Sequence, residues 1–365
     1  MPERKRKRFL FAAVYSLVVA AFTAYVMLDT FVLESVEQAD ATAQNTSMFD
    51  DIEVKKLSAA DSTASSDDSQ TKPDESSSQS GSGKSSKSRR SRTKSENDAS
   101  SQTDSTQSSE ETKDTSASSS NGTVGSYSDE NIAVTVNKYY ESNTAIYVAD
   151  VHLSSAQYLK TAFAQGSFGK NVKATTSDTA EENNAILAIN GDYYGAREKG
   201  YVIRNGVAYR STADSDSEIL CIYADGHFDI ISPDEANADE LVEKGVWQAF
   251  TFGPGLVDSG EITVSQGDEV DQAMASNPRT AMGQIDDLHY VFVVSEGRTS
   301  DNAGLSLYQL AQFMKSLGCT TAYNLDGGGS STMYFDGEVI NDPTGGGRGS
   351  SGGERKVSDI VYLGY

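Results

Sequence analysis

A chain of 365 residues with 53 acidic and 30 basic side chains, net charge −23 at pH 7, is no general nucleic-acid binder, because polyphosphate would be repelled over most of its surface. Its 37% hydrophobic content supplies one large folded domain or two small ones, together with non-globular parts. Two cysteines, Cys221 and Cys319, with no CxxC or Cys/His cluster, argue against a zinc site.

The chain opens with MPERKRKR, a strongly basic stretch at residues 1–8. Phe9 to Leu28 is then a run of 20 uncharged residues, enough for a helix that crosses a bilayer. The pattern reads as an uncleaved signal anchor; Ala39–Ala43 offers a weaker cleavage alternative. The basic flank then stays in the cytoplasm and everything after Asp29 lies outside, as in a single-pass cell-membrane protein. Residues 29–125 read as a disordered extracytoplasmic linker, since from about Ser58 the composition is Ser, Thr, Asp, Gln and Lys with hardly an apolar side chain. Its basic cluster at 84–94 reads as a solvated patch, and the linker as a spacer of roughly 50–60 Å.

The folded domain is expected over 126–365. Ile132–Val136 and Ala145–Leu153 alternate like strands, Ser155–Gln165 has helical spacing, and Ala185–Ile189 is a buried strand. Asn205-Gly206, Asp225-Gly226 and Asp336-Gly337 are hairpin turns, and Asp286-Asp287 joins Thr280–Ile285 to His289–Ser295. Pro233–Gly245 reads as an acidic surface helix. Ser306 and Gln309 form a capping box for a helix whose face is Leu307, Leu310, Ala311, Met314 and Leu317, with Gly318 at the C′ position. That helix feeds an apolar strand, Thr320 to Leu325, which ends on Asn324 and Asp326 and breaks into Gly327-Gly328-Gly329-Ser330-Ser331. Strands joined by tight turns with few helices indicate an α+β fold of hairpin-rich mixed or antiparallel sheets, preceded by the transmembrane helix and the linker. The two cysteines, each in an apolar run, read as buried free thiols.

Four strand ends carry polar loops: AINGDYYG at 188–195, NPRTAMG at 277–283, SEGR at 295–298 and NLDGGGSS at 324–331. Asn341, Arg348 and Arg355 lie in a glycine-rich C-terminal stretch with the character of a lid. Singly, each motif is a turn or a surface residue; together they set carboxylates, arginines and glycine-rich backbone at strand ends, a theme suited to a sugar and a phosphate. His152, His227 and His289 have no partners at useful spacing, which argues against histidine-based phosphodiester chemistry.

NGDYY, NPRTAMG, EGR, the run GLSLYQLAQFMKSLGCTTAYNLDGGGSSTMYFDG and the closing RKVSDIVYL resemble, in order, the phosphodiester glycosidase family. The resemblance covers most of 130–365 and implies hydrolysis of a sugar 1-phosphodiester in a cell-surface glycan of a bacterium. Two departures stand out. The family's Asn-Gly-Gly is here Asn190-Gly191-Asp192, and Lys356 rather than proline follows Arg355. With a phosphate ester as leaving group, protonation matters less than holding the anion and attacking an oxocarbenium-like carbon. Arg279 and Arg298, then Arg355, are the candidate phosphate holders, aided by amides of Gly327, Gly328 and Gly329 and hydroxyls of Ser330 and Ser331. Asp326 is the candidate nucleophile or base, Asp192 or Glu296 the second carboxyl, and Asn190 and Asn324 the sugar-positioning amides. A Mg2+ or Ca2+ ion on Asp326, Asp192 and Asn324 is the alternative electrophile and would make a P–O-cleaving phosphodiesterase. A non-catalytic module that binds wall or exopolysaccharide is the rival class.

Overall fold

The computed structural model describes residues 3–50, 52, 121–269, 276–345 and 352–365. Most of the expected linker, its basic cluster and Arg348 lie outside the described residues. Along the chain come α1 (Glu3–Phe31), β1 (Ser35–Gln38), β2 (Gly122–Ser128), β3 (Ile132–Glu141), β4 (Thr144–Leu153), β5 (Leu159–Phe163) and β6 (Phe168–Lys170). Next are α2 (Thr176–Glu182), β7 (Leu187–Asn190), β8 (Val202–Arg204), β9 (Val207–Arg210), β10 (Ile219–Tyr223), β11 (Phe228–Ile231), α3 (Ala238–Glu243) and β12 (Val246–Phe250). The chain closes with β13 (Gly255–Asp258), β14 (Glu261–Ile262), β15 (Arg279–Asp286), β16 (His289–Ser295), α4 (Leu307–Ser316), β17 (Thr321–Asn324), β18 (Met333–Phe335), β19 (Glu338–Val339) and β20 (Asp359–Leu363).

These strands form an eight-stranded sheet, β14-β13-β17-β15-β16-β4-β3-β2, and two five-stranded sheets, β19-β18-β7-β20-β5 and β11-β10-β12-β8-β9. Every pairing between named strands is antiparallel, so the fold is α+β of the expected hairpin-rich kind. The turns carry the left-handed residues that the sequence marks, among them Asn205 (φ 51°) before Gly206 (φ 74°) and Asp336 (φ 49°) before Gly337 (φ 93°). Inward side chains of all three sheets meet in the main core, with Val151, Phe292 and Tyr323 against Ile189 and Val361 and against Ile222 and Phe250.

The opposite face of the eight-stranded sheet is closed by α4. Its capping box is formed in full: Ser306 Oγ accepts from Gln309 N and Gln309 Oε1 from Ser306 N. Leu307, Leu310, Phe313 and Met314 are buried there, each contributing roughly 1.5–3 kcal/mol. A buried helix face of this kind fixes β17, and with it the loop at its C-terminal end.

Three expectations change. Ser155–Gln165 is a strand, β5, between single 3-10 turns, because Leu159, Thr161 and Phe163 alternate inward and pair with β20. The acidic helix is shorter, Ala238–Glu243, starting where Asn237 and Glu240 make a capping box. The domain also recruits residues read as linker. β1 pairs antiparallel with β6, Ala41 N donates to Gly166 O (2.7 Å), Asn45 N to Asn205 O (2.8 Å), and Phe49 meets Trp247 edge-on at 4.9 Å. At the far end of the expected linker, β2 already begins at Gly122 and pairs with β3. α1 is the expected apolar helix, with Phe11–Asp29 long and apolar enough to cross a membrane. Cys221 and Cys319 are buried free thiols in separate clusters.

Candidate active site

The C-terminal ends of β7, β16 and β17 come together with the starts of β15, β18 and β20. Arg279 pairs with Ser295, Ala281 with Asn324, and Asn190 with Ile360. Every polar loop singled out in the sequence, 190–194, 277–279, 296–298 and 326–331, therefore opens at one edge of the sheets.

Asp326 is the centre. Its carboxylate is buried, and Oδ2 accepts from Arg355 Nη2 at 2.7 Å. Burial pushes its carboxyl above the ordinary range, while Arg355, Ser330 and the Gly327 amide pull the other way. Arg355 spans the loop: Nε donates to Ser330 Oγ (2.7 Å), Nη2 to Gly327 O (3.2 Å), and its backbone N to Gly329 O (3.1 Å). Its guanidinium also lies 5.7 Å from the ring centre of Tyr193. Tyr193 is 37% exposed and left-handed at φ 66°, a conformation that costs a non-glycine residue about 1–3 kcal/mol and clusters at functional sites. Tyr194 is core, stacked on Phe168.

Arg298 approaches from the other side. It donates through Nε and Nη2 to Asn277 Oδ1 (3.1 and 2.9 Å) and lies close enough to Arg355 and Asp326 to feel both charges. Gly328 is left-handed (φ 63°), and a Cβ added there would sit 2.7 Å from Arg298 Nη2, so the loop needs glycine for both reasons. Two guanidiniums thus flank one carboxylate over glycine backbone, a local excess of positive charge within a strongly acidic chain.

Glu296 supplies a second carboxyl. It is 4% exposed, its Oε1 accepts from Asp342 N (2.7 Å), and burial pushes it up to about 7. The segment 341–345 links it to the loop: Asn341 Nδ2 donates to Ser331 O (3.0 Å), and a Cβ on Gly345 would lie 2.6 Å from Gly329 O. Ser331 Oγ, buried beside them, has no hydrogen-bond partner among the described residues.

Other expected site residues are taken up in holding the loops. Arg279 is buried, donating through Nε to Leu305 O and Nη2 to Glu269 Oε2, each 2.9 Å, so its fork is not presented to a phosphate. Asp192 is 1% exposed in an ion pair with Arg204 Nη2 (2.9 Å), and it also accepts from Tyr194 N and Thr251 N. Arg204 binds Asp359 Oδ2 as well (2.7 Å) and lies 4.3 Å from the Phe250 ring centre. The departure from Asn-Gly-Gly thus serves a buried Asp192–Arg204–Asp359 triad rather than substrate. Asn190 Nδ2 donates to Asp326 O (2.6 Å), and its Oδ1 accepts from Thr280 Oγ1 and Thr332 N, so it positions Asp326 instead of a sugar. Asn324 Nδ2 donates to Gly253 O (2.8 Å), and the Gly328 amide donates to Pro278 O (2.8 Å). Of the three proposed ion ligands, Asp192 is paired with Arg204 and Asp326 with Arg355. Arg204 was missed, because a cation that ends a short apolar strand beside the Asn205-Gly206 turn looks like a surface residue in the sequence.

The antiparallel α+β frame thus sets a carboxylate and two arginines over a glycine loop. Residues 183–363, just under half of the chain, match the family model described as phosphodiester glycosidase. Among curated relatives, the chain is 30% identical over 205 residues to the SPbeta prophage-derived uncharacterized protein YomE of Bacillus subtilis, covering 54% of this chain and 31% of that one. It is 25% identical over 194 residues to N-acetylglucosamine-1-phosphodiester alpha-N-acetylglucosaminidase of Mus musculus, covering 49% and 37%. The matched part thus spans about a third of the length of either relative. The zebrafish catalytic domain of the same name, auto-inhibited by its pro-peptide, shares the fold at TM-score 0.53 and 20% identity, covering 67% of this chain and 88% of that one.

Proposed function

We propose that this chain is a membrane-anchored extracytoplasmic phosphodiester glycosidase that hydrolyses a sugar 1-phosphodiester of a cell-surface glycan by C–O cleavage. The observation that carries the reading is the Asp326 carboxylate, buried and gripped by Arg355 beside Arg298. Arg298 and Arg355 take the phosphate oxygens, charge-assisted and planar, as the departing phosphate gains charge. Asp326 attacks the anomeric carbon or directs water to it. Glu296, pushed up to about 7, keeps part of its proton near neutrality and serves as acid, with Tyr193 offering an exposed ring to the sugar face. Ser330 and Ser331 line the phosphate side.

The anchor is supported by α1 and by the contacts of the segment just after it. Leu33 O accepts from Asn171 Nδ2 (3.1 Å), and Glu34 and Arg355 both act on the charge of Lys173. The juxtamembrane segment is thereby fastened near the site, which suits a substrate displayed at the membrane surface. The test is hydrolysis of a panel of sugar 1-phosphodiesters by the full chain in oxygen-labelled water. Label in the released sugar supports C–O cleavage; label in the phosphate would make this a P–O phosphodiesterase. Glycan binding without release would leave a binding module.

A further inference from the structure

Two of the three histidines in the chain, far apart in sequence, are brought together by strand register. Asp150 and His152 are two residues apart on β4 and so share a face, and His289, at the start of β16, pairs directly with His152. The imidazoles stack at 3.9 Å between centres and 22° between planes. Both aim the same atom at the same oxygen: Nε2 of His289 lies 3.0 Å and Nε2 of His152 3.2 Å from Asp150 Oδ1.

Those separations have a meaning. Zinc bound tetrahedrally at ~2.0–2.1 Å holds neighbouring ligand atoms about 3.3 Å apart. The three ligand atoms here all lie within 4.8 Å of one another, with side chains 17–35% exposed, so an ion can enter from solvent. Two imidazoles and one carboxylate suit zinc by ligand type. The same carboxylate oxygen faces both rings. Asp286 pairs with His289 on the next strand and adds negative potential.

We propose that Asp150, His152 and His289 form a zinc site of the two-histidine, one-carboxylate kind, tying β4 to β16 and leaving coordination positions open to solvent. The site is separate from the proposed catalytic cleft. His289 and Glu296 bracket β16, seven residues apart, which at ~3.3 Å per residue is about 23 Å. Zinc here would stabilise the fold, raising the folding constant about 100-fold at a free concentration 100 times Kd.

The test uses the full chain in mild detergent, dialysed against EDTA and titrated with zinc sulfate by calorimetry, then with cobalt chloride by visible absorption. The expected result is one zinc per chain, with tetrahedral cobalt bands. Affinity should fall at least tenfold in His152→Asn and in His289→Asn, yet be kept in His227→Asn, whose ring pairs with Asp225 elsewhere. Fluorescence of the buried Trp247 checks that each variant is folded; for one that is not, Asp150→Asn takes its place. Absence of zinc binding, or equal binding by all variants, overturns the proposal.

Discussion

Glu296→Gln isolates one buried proton. The wild-type carboxyl moves from an ordinary 4.5 to about 7 on folding, chiefly through burial. Between those values the native state keeps a proton that the unfolded chain has lost, so stability is fully present below about 4.5 and declines as pH rises towards 7. A shift from 4.5 to about 7, at about 1.4 kcal/mol per unit, amounts to roughly 3 kcal/mol of stability lost by about pH 8. Glutamine keeps an oxygen for Asp342 N and never ionises, so that loss disappears. Urea titrations at about pH 4.5 and pH 8, read by the fluorescence of the lone Trp247, supply the comparison. The variant should lie close to wild type in acid and up to about 3 kcal/mol above it in base. An identical difference at both pH values would refute the reasoning.

Arg204→Met leaves Asp192 and Asp359 buried without their cation and should cost about 3–5 kcal/mol, seen as a lower urea midpoint; an unchanged midpoint removes the triad's structural role. Arg355→Lys and Arg298→Lys lose the planar fork, and each should raise KM for a sugar phosphodiester about 10–100-fold, from the ~1.5–3 kcal/mol of a charge-assisted bond. A KM unchanged in both would take the phosphate away from this cleft. Gly328→Ala forces a side chain at φ 63° against Arg298 and should cost about 1–2 kcal/mol of stability together with a rise in KM, whereas wild-type kinetics would contradict the close packing.

Much of the frame was legible because its signals are local. The capping box at Ser306/Gln309, the Asp336-Gly337 turn and the apolar run into Asp326 each determine their own backbone. The gathering of polar strand ends was legible as a theme, and Asp326, Arg298, Arg355 and Glu296 do meet at one edge. What distinguished Arg355 from Arg279 was not legible. Both are arginines beside a strand, and only the fold shows that Glu269 and Leu305 O occupy one while Asp326 faces the other. Asp192 and Asn190 misled for the same reason: a polar residue after a buried strand looks alike whether it faces a cleft or a buried partner. The β5 segment was misread because Leu159 and Phe163 satisfy i, i+4 as well as alternation. Residues 35–50 gave no period at all, since Ala41, Met48 and Phe49 dock one by one, and the cross-strand meeting of His152 and His289 depends on register.

The central claim is that the Asp326 carboxylate drives glycosidic cleavage. Asp326→Asn keeps the size of the side chain and removes its charge, so the deciding measurement is sugar release from a sugar 1-phosphodiester by wild type and variant under single-turnover conditions. The account predicts that release falls at least ~100-fold in the variant while the substrate still binds through Arg298 and Arg355. Release at the wild-type rate would contradict it.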